Sequence, residues 1–326
     1  MAELKVYNAE KLFYEPIEST PQVVTGLIPS GLTVIAGTQK CGKSWMILDL
    51  CLSVSKGEPF LGIPTEPIDV LYMALEDTPE RIQKRMYKLT DDVSPRLRFA
   101  TSSKTLSNGL IGELNEYMHQ FPETKMIVID TFMMVRLGGG EGTYANDYAD
   151  ASKLKKFADA YKIAIILVHH VRKMRATDIF EMISGTNGIT GAADTNMVLD
   201  RPNPHSKDAD LHMKGRDIEV QVWKIQFENC KWSIVERKNE EQLFQESIPT
   251  DIHAVIDFMS DKREWKGTAT ELVNALEAEG MPPNLLSKHL SQFDSSALKP
   301  AGIYFKSKKT NGKRSITLRK SDDECR

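Results

Sequence analysis

Eight residues constrain this chain more than any others: Gly37 to Ser44 reads GTQKCGKS, a complete G-x-x-x-x-G-K-S phosphate loop. The run before it, Leu32-Thr33-Val34-Ile35-Ala36, is apolar and β-branched, as a buried strand should be. The run after it, Trp45 to Ser53, places its apolar residues at helical spacing. A glycine-rich turn between a strand and a helix points backbone N–H groups inward around a phosphate, and the helix N-terminus adds its positive dipole. This setting predicts a nucleoside triphosphate site built from Gly37, Thr38, Gln39, Lys40, Cys41, Gly42, Lys43, Ser44 and Trp45. Lys43 would reach the β- and γ-phosphates, and the Ser44 hydroxyl would ligate Mg²⁺. ATP with Mg²⁺ is the expected ligand, because no guanine-specific N-K-x-D follows the fourth strand described below.

At 326 residues, with 41% hydrophobic and 27% charged residues, the chain has room for one large domain and a small one. A net charge of −3 gives no global sign of a polyanionic partner, so any nucleic-acid surface must be local. Cys41, Cys51, Cys230 and Cys325 form no C-x-x-C pair and no cluster with histidine. That argues against a disulfide framework or structural zinc and fits a reducing cytoplasm. No apolar run approaches the roughly 20 residues needed to span a bilayer, so no membrane partner is expected. The opening MAELKVYNAEKLFYEP mixes charges throughout and lacks a signal-peptide core.

Strand–helix alternation follows the loop. Ile68 to Leu75, Leu97 to Ala100, Met126 to Ile129 and Ile163 to Val168 read as further strands. Helices are expected over Glu80 to Leu89, Gly109 to Gln120 and Asn146 to Tyr161, the first capped by Thr78 with Pro79 at its first position. Near-continuous apolar strands alternating with helices predict an α/β fold with a mostly parallel central sheet. From Asn196 to Val235 four shorter strands with polar turns suggest an antiparallel extension.

The expected boundaries are an N-terminal arm over 1–30, the α/β domain over 31–238, a linker over 239–248, a small domain over 249–320 and a tail over 321–326. Three short helices over Pro249 to Met259, Thr268 to Glu279 and Pro282 to Phe293 precede a hairpin, Gly302 to Lys306 and Arg314 to Leu318. The turn Thr310-Asn311-Gly312 carries the Asn-Gly hairpin signal. That order describes a winged helix-turn-helix. From Lys299 to Lys320 there are eight cations and no acidic residue, among them Lys308, Lys309, Lys313 and Arg314. Lys288 and His289 lie on the third helix, which in such a fold approaches a duplex major groove while the wing grips backbone.

Three strand ends carry candidate chemistry. Asp130 ends the third strong strand, where a second Mg²⁺-organising carboxylate belongs. Glu76 ends the second, and could accept a proton from the water attacking the γ-phosphate; Asp77 beside it could do the same or cap the next helix. His169-His170 ends the fourth, and one of the pair could sense the γ-phosphate.

GTQKCGKS, LYMALEDTPERIQKR, MIVIDT, ILVHHVRK and SGTNGITGAAD, in this order, resemble the RecA-fold ATPases related to the RepA-like hexameric replicative helicases. The resemblance spans about residues 20–235 and implies a RecA-like domain in which Glu76 is the catalytic carboxylate, Asp130 the Walker B residue and His170 the γ-phosphate sensor, with His169 the alternative. It also implies a ring, a hexamer in that family, with each nucleotide completed by a neighbouring subunit. Lys214-x-Arg216 resembles the family's lysine and arginine finger. Loops over Arg136 to Tyr148 and from Arg172 to Gly188 occupy the positions of channel loops, so Arg172, Lys173 and Arg175 are expected to meet single-stranded DNA phosphates.

These readings converge on a cytoplasmic ring-forming ATPase that moves along or unwinds DNA in replication of a plasmid, phage or other mobile element. The alternative is an ATP-switched DNA-binding regulator or recombination mediator without strand separation. A small-molecule kinase finds no second substrate signal.

Overall fold

Alternation of side chains decides how the long apolar strands are used. The computed structural model describes residues 6–14, 20–136, 144–171, 178–183, 188–278, 280–310 and 313–321. In the first part, α1 (Ala9–Tyr14), β1 (Gln22–Val24) and β2 (Ile28–Pro29) occupy the expected arm. Then come β3 (Gly31–Gly37), α2 (Lys43–Lys56), β4 (Asp69–Ala74), α3 (Pro79–Leu89), β5 (Leu97–Ala100), α4 (Leu110–Gln120) and β6 (Thr124–Asp130). They are followed by α5 (Tyr144–Tyr161), β7 (Ala164–His170), α6 (Gly188–Ala192), β8 (Thr195–Asp200), β9 (Asp208–Gly215), β10 (Gln221–Glu228) and β11 (Lys231–Asn239).

Nine strands form one sheet in the order β11-β10-β9-β8-β3-β7-β6-β4-β5. Val70, Tyr72, Val128, Ile166 and Val168 pack on one face with α2 and α3, whereas Leu71, Met73, Ile127, Ile165 and Leu167 pack on the other with α4, α5 and α6. A strand's neighbouring side chains point to opposite faces, so runs apolar at every position need cover on both sides. Thr78 caps α3 as expected, accepting a hydrogen bond from Arg81 N, with Pro79 in the first turn.

Three expectations change. β8 is not part of the antiparallel extension: it runs parallel to β3, and the reversal begins with β9. The segment expected as a linker, 239–248, is largely helical as α7 (Glu240–Ser247), and Glu236 to Lys238 still belong to β11. Its glutamates suit the first turn of a helix, where the dipole favours negative charge.

The chain divides into two compact units, Met1–Asn239 and Glu240–Arg326. The second contains, after α7, α8 (Thr250–Phe258), β12 (Glu264–Gly267), α9 (Ala269–Ala275), α10 (Pro283–Gln292), β13 (Ile303–Thr310) and β14 (Lys313–Lys320). The order is helix–strand–helix–helix–strand–strand, in which β12 joins the β13–β14 hairpin as a third antiparallel strand. The third change is α9, which stops at Ala275 rather than near Glu279, just before Glu277 takes a positive φ of 52°. Ile252, Val255, Leu272, Leu286, Leu290, Ile316 and Leu318 form its own core.

Candidate functional site

The phosphate loop leaves the carboxyl end of β3 and enters α2 through Gly42, whose φ of 106° suits glycine. A side chain there would also strike the Trp232 ring at 2.8 Å. No side chain among the described residues caps α2, so its first N–H groups remain donors toward the cavity. Lys43 is buried, and its ammonium donates to the carbonyls of Gly37 and Thr38, each at 2.8 Å. Burial lowers its pKa, while Cys41 and Asp130 oppose that shift. An anionic phosphate would restore the charge balance of this ammonium.

Around the loop lies a cavity of about 520 Å³ that Glu76, Asp130, Thr131, His170 and Arg201 help to line. Gln39, Lys40, Gly42, Lys43, Ser44 and Trp45 also border it. Asp130 is buried and accepts from the Tyr72 hydroxyl at 2.8 Å. Burial raises its pKa, and hydrogen bonds from Tyr72 and Ser44 pull it back. A serine hydroxyl bonded to a carboxylate is a hard-oxygen donor set that fits Mg²⁺, which keeps its other positions for water and phosphate. Among the described residues no group of three or more His, Cys, Asp or Glu is arranged to hold a metal.

The side-chain alternation of the strands separates the paired candidates. Glu76 shares the face of Tyr72 and Ala74, and its carboxylate accepts from the Thr131 hydroxyl at 2.7 Å. Asp77 is instead held by Arg81 at 2.8 Å and by Arg85. His170 shares the face of Ile166 and Val168, with its Nδ1 3.4 Å from the Lys43 ammonium. Burial, then the Lys43 charge, lowers its pKa. His169 faces the other side, edge-on to Phe132, and its buried Nδ1 has no hydrogen-bond partner among the described residues. Burial, reinforced by Arg136, lowers its pKa to about 4. The structure therefore brings Glu76 and His170 to the loop, and not Asp77 or His169.

Arg216 lies at the other edge of the sheet. β9 pairs Gly215 with Thr195 of β8, and β8 pairs Thr195 with Thr33 near the start of β3. The phosphate loop leaves β3 at Gly37, about 13 Å further along at roughly 3.3 Å per residue. Arg216 is 62% exposed and donates to Asp194 at 3.1 Å. Asp194 is buried and also accepts from Leu32 N and Lys155. Lys214 pairs with Asp178 at 3.0 Å and sits over the Phe180 ring.

Sequence reasoning missed one wall of the cavity. Arg201 donates to the carbonyls of Cys41 and Ser206, and its guanidinium stacks over Phe227 and Trp232 at 4.9 and 5.4 Å. Pro204 and Phe227 line the cavity beside it, and Arg85 lies over Trp45 on the other side. No local motif marks these residues, because only strand register carries them to the loop.

The expected DNA contacts divide. Arg172, Lys173 and Arg175 lie outside the described residues, as do 137–143 of the first expected channel loop and the hairpin tip at 311–312. Lys288, Lys308 and Arg314 are exposed; Lys309 and Lys313 sit in β13 and β14, with only their backbone described. His289 is a correction: it turns inward to the buried Asp251 at 2.8 Å and is not on the groove-facing surface.

The sequence pattern of the AAA domain family (AAA_25) matches residues 3–176, and that of the AICE RepA C-terminal domain matches residues 252–324. None of the curated proteins matches the chain. Among solved structures, a KaiC-like protein from the hyperthermophilic archaeon Pyrococcus horikoshii OT3 superposes with a TM-score of 0.47 at 12% identity, covering 68% of this chain and 99% of that one. No helix among the described residues is long and apolar enough to cross a membrane.

Proposed function

The chain belongs to the AAA domain family of RecA-like ATPases, and from that premise we propose a ring-forming, ATP-driven DNA translocase or helicase serving replication of a mobile element. The observation that carries this reading is the division of cations between the two sheet edges. Lys43 stands at the phosphate loop, while Arg216 stands about 13 Å away along the strand direction, exposed on one side and paired with Asp194 on the other.

Within one subunit, Lys43 and the α2 N-terminus hold the phosphates, and Ser44 and Asp130 hold Mg²⁺. The ion supplies charge neutralisation at the phosphate oxygens. Glu76 takes the proton from the attacking water, and its hydrogen bond from Thr131 orients the carboxylate for that step. Arg201 and Phe227 offer stacking surfaces to the base. His170 touches Lys43 and therefore registers when that ammonium exchanges its carbonyl partners for phosphate oxygens. The segment bearing Arg172, Lys173 and Arg175 follows directly after, which gives occupancy a route to a channel strand. Arg216 of the next subunit offsets charge on the transferring phosphoryl group.

In the C-terminal unit, read as a winged helix over 249–320, the duplex-DNA contacts are Lys288, Lys308, Lys309, Lys313 and Arg314. A cytoplasmic hexamer acting on DNA accounts for these features together.

The test is strand displacement on forked DNA with ATP, with Lys43→Ala as control, alongside a mass measurement. Displacement by a six-fold particle supports the reading. DNA-stimulated hydrolysis without displacement supports an ATP-switched mediator instead. A lone subunit whose turnover ignores added DNA overturns both.

A further inference from the structure

Apart from Lys308, the outer face of the small unit's three-stranded sheet is used by none of these steps. Ile303, Phe305, Ile316, Leu318 and Trp265 point into the small core, so the residues between them face outward. Register sets these in rows. Tyr304 stands opposite Arg319, and Lys306 opposite Thr317, which in turn faces Lys266 of β12; Lys308 is opposite Ser315. The rows line a shallow cavity of about 370 Å³.

Two features of this face are unlike an ordinary solvated sheet. Tyr304 is 49% exposed on a surface where every other large aromatic of the sheet is turned inward. Around it stand Lys266, Lys306, Lys308 and Arg319, all exposed. The one carboxylate on the face, Glu264, accepts from Arg319 at 2.8 Å and from Lys266 at 3.1 Å. Four cations against one carboxylate leave the face strongly positive in a chain whose net charge is −3.

We infer that this face binds single-stranded nucleic acid, with one base stacked on Tyr304 and the backbone tracked by Lys306, Lys308 and Lys266. A flat sheet carrying an exposed aromatic among cations matches what a single strand offers, a free base face beside a phosphate chain. A duplex keeps its base faces stacked internally and has nothing for Tyr304 to meet. An acidic peptide would satisfy the lysines and leave the aromatic unused. The inference names a different strand state, and a face that shares Lys308 but not Lys288 of α10 with the duplex reading, and it does not depend on hydrolysis.

The test uses the full chain without nucleotide and a short fluorescent oligothymidine, with an oligouridine arm, read by anisotropy across a salt series. Tyr304→Ala should weaken binding about tenfold, the scale of losing one stacked base, whereas Tyr304→Phe should hold it. The double variant Lys306→Ala with Lys308→Ala should flatten the salt slope by about 1.4, at roughly 0.7 per phosphate contact. An iododeoxyuridine probe should crosslink at Tyr304. Lys288→Ala should weaken duplex binding and spare the single strand, so the duplex reading can fail while this one stands. Single-strand affinity unchanged by Tyr304→Ala, or crosslinks that avoid the face, would overturn the inference. Lysine-dependent binding indifferent to Tyr304 would overturn it as well.

Discussion

The two edges of the parallel sheet handle positive charge in opposite ways. At the carboxyl edge, Lys43 is buried and bonded at 2.8 Å to two carbonyls of its own loop. At the amino edge, Arg216 is 62% exposed and leans on a single buried carboxylate, Asp194, that is already shared with Lys155 and Leu32 N. A buried ammonium is fixed by the fold that surrounds it. An exposed guanidinium can leave more readily, because Asp194 keeps Lys155 and Leu32 N as partners when it does. On the proposed reading, one edge receives the nucleotide and the other lends its cation to a neighbour.

The sharpest way to break this comparison is to remove Arg216. Arg216→Ala should slow hydrolysis about 10³-fold or more, as loss of a trans arginine does, with ATP binding kept. Mixing it with Lys43→Ala chains should restore part of the activity, because some seams then pair an intact loop with an intact arginine. Activity that never rises above either variant alone would remove the shared site. A smaller effect, roughly 10²–10³-fold, is expected for Glu76→Gln. Asp77→Asn should cost much less, because Asp77 serves Arg81 and Arg85 on α3. Equal losses would return the choice between the two carboxylates to the open state in which the sequence leaves it.

That choice shows where the sequence is legible. The loop, the buried strands and the acidic strand ends can be read directly, because each depends on local residue type and spacing. The pairs Glu76/Asp77 and His169/His170 stay open until the face of each strand is known. Strand period alone could have decided them: Val168 and Ile166 share the α2 face, so His170 must too. Arg201 and Phe227 were beyond reach, since their approach to the loop depends on strand order and on β10 pairing with β9. The parallel placement of β8 was hidden for the same reason. Its short polar-flanked run looks like its antiparallel successors, although it joins β3.

His169 supplies a test of the inward-facing histidine that is separate from catalysis. It stays neutral in the folded chain down to about pH 4, but takes up a proton near pH 6.5 once unfolded. The stability that depends on its neutrality is complete above pH 6.5 and is lost as pH falls toward 4. Across that window the loss should reach roughly 3 kcal/mol. His169→Leu should flatten denaturation midpoints over the same range, because an apolar side chain suits the Phe132 contact and titrates nothing. An unchanged pH slope in the variant would show that other groups carry it.

The smallest effect probes the wall that register assembled. Arg201→Ala should raise KM for ATP about tenfold and leave kcat nearly unchanged, the scale of a lost, partly desolvated cation–π or stacking contact. Arg201 also donates to the Cys41 carbonyl at 3.3 Å, so the same loss could come from a slackened loop. Inorganic tripolyphosphate, used as a competitive inhibitor, separates the two causes because it has phosphates and no base. If Arg201 meets the base, the variant loses affinity for ATP and keeps it for tripolyphosphate. Arg201→Lys should then behave like alanine, since an ammonium keeps the charge but not the planar stacking surface. Parallel losses for both ligands would assign Arg201 to the loop, and the contrast between the sheet edges would then rest on phosphate contacts alone.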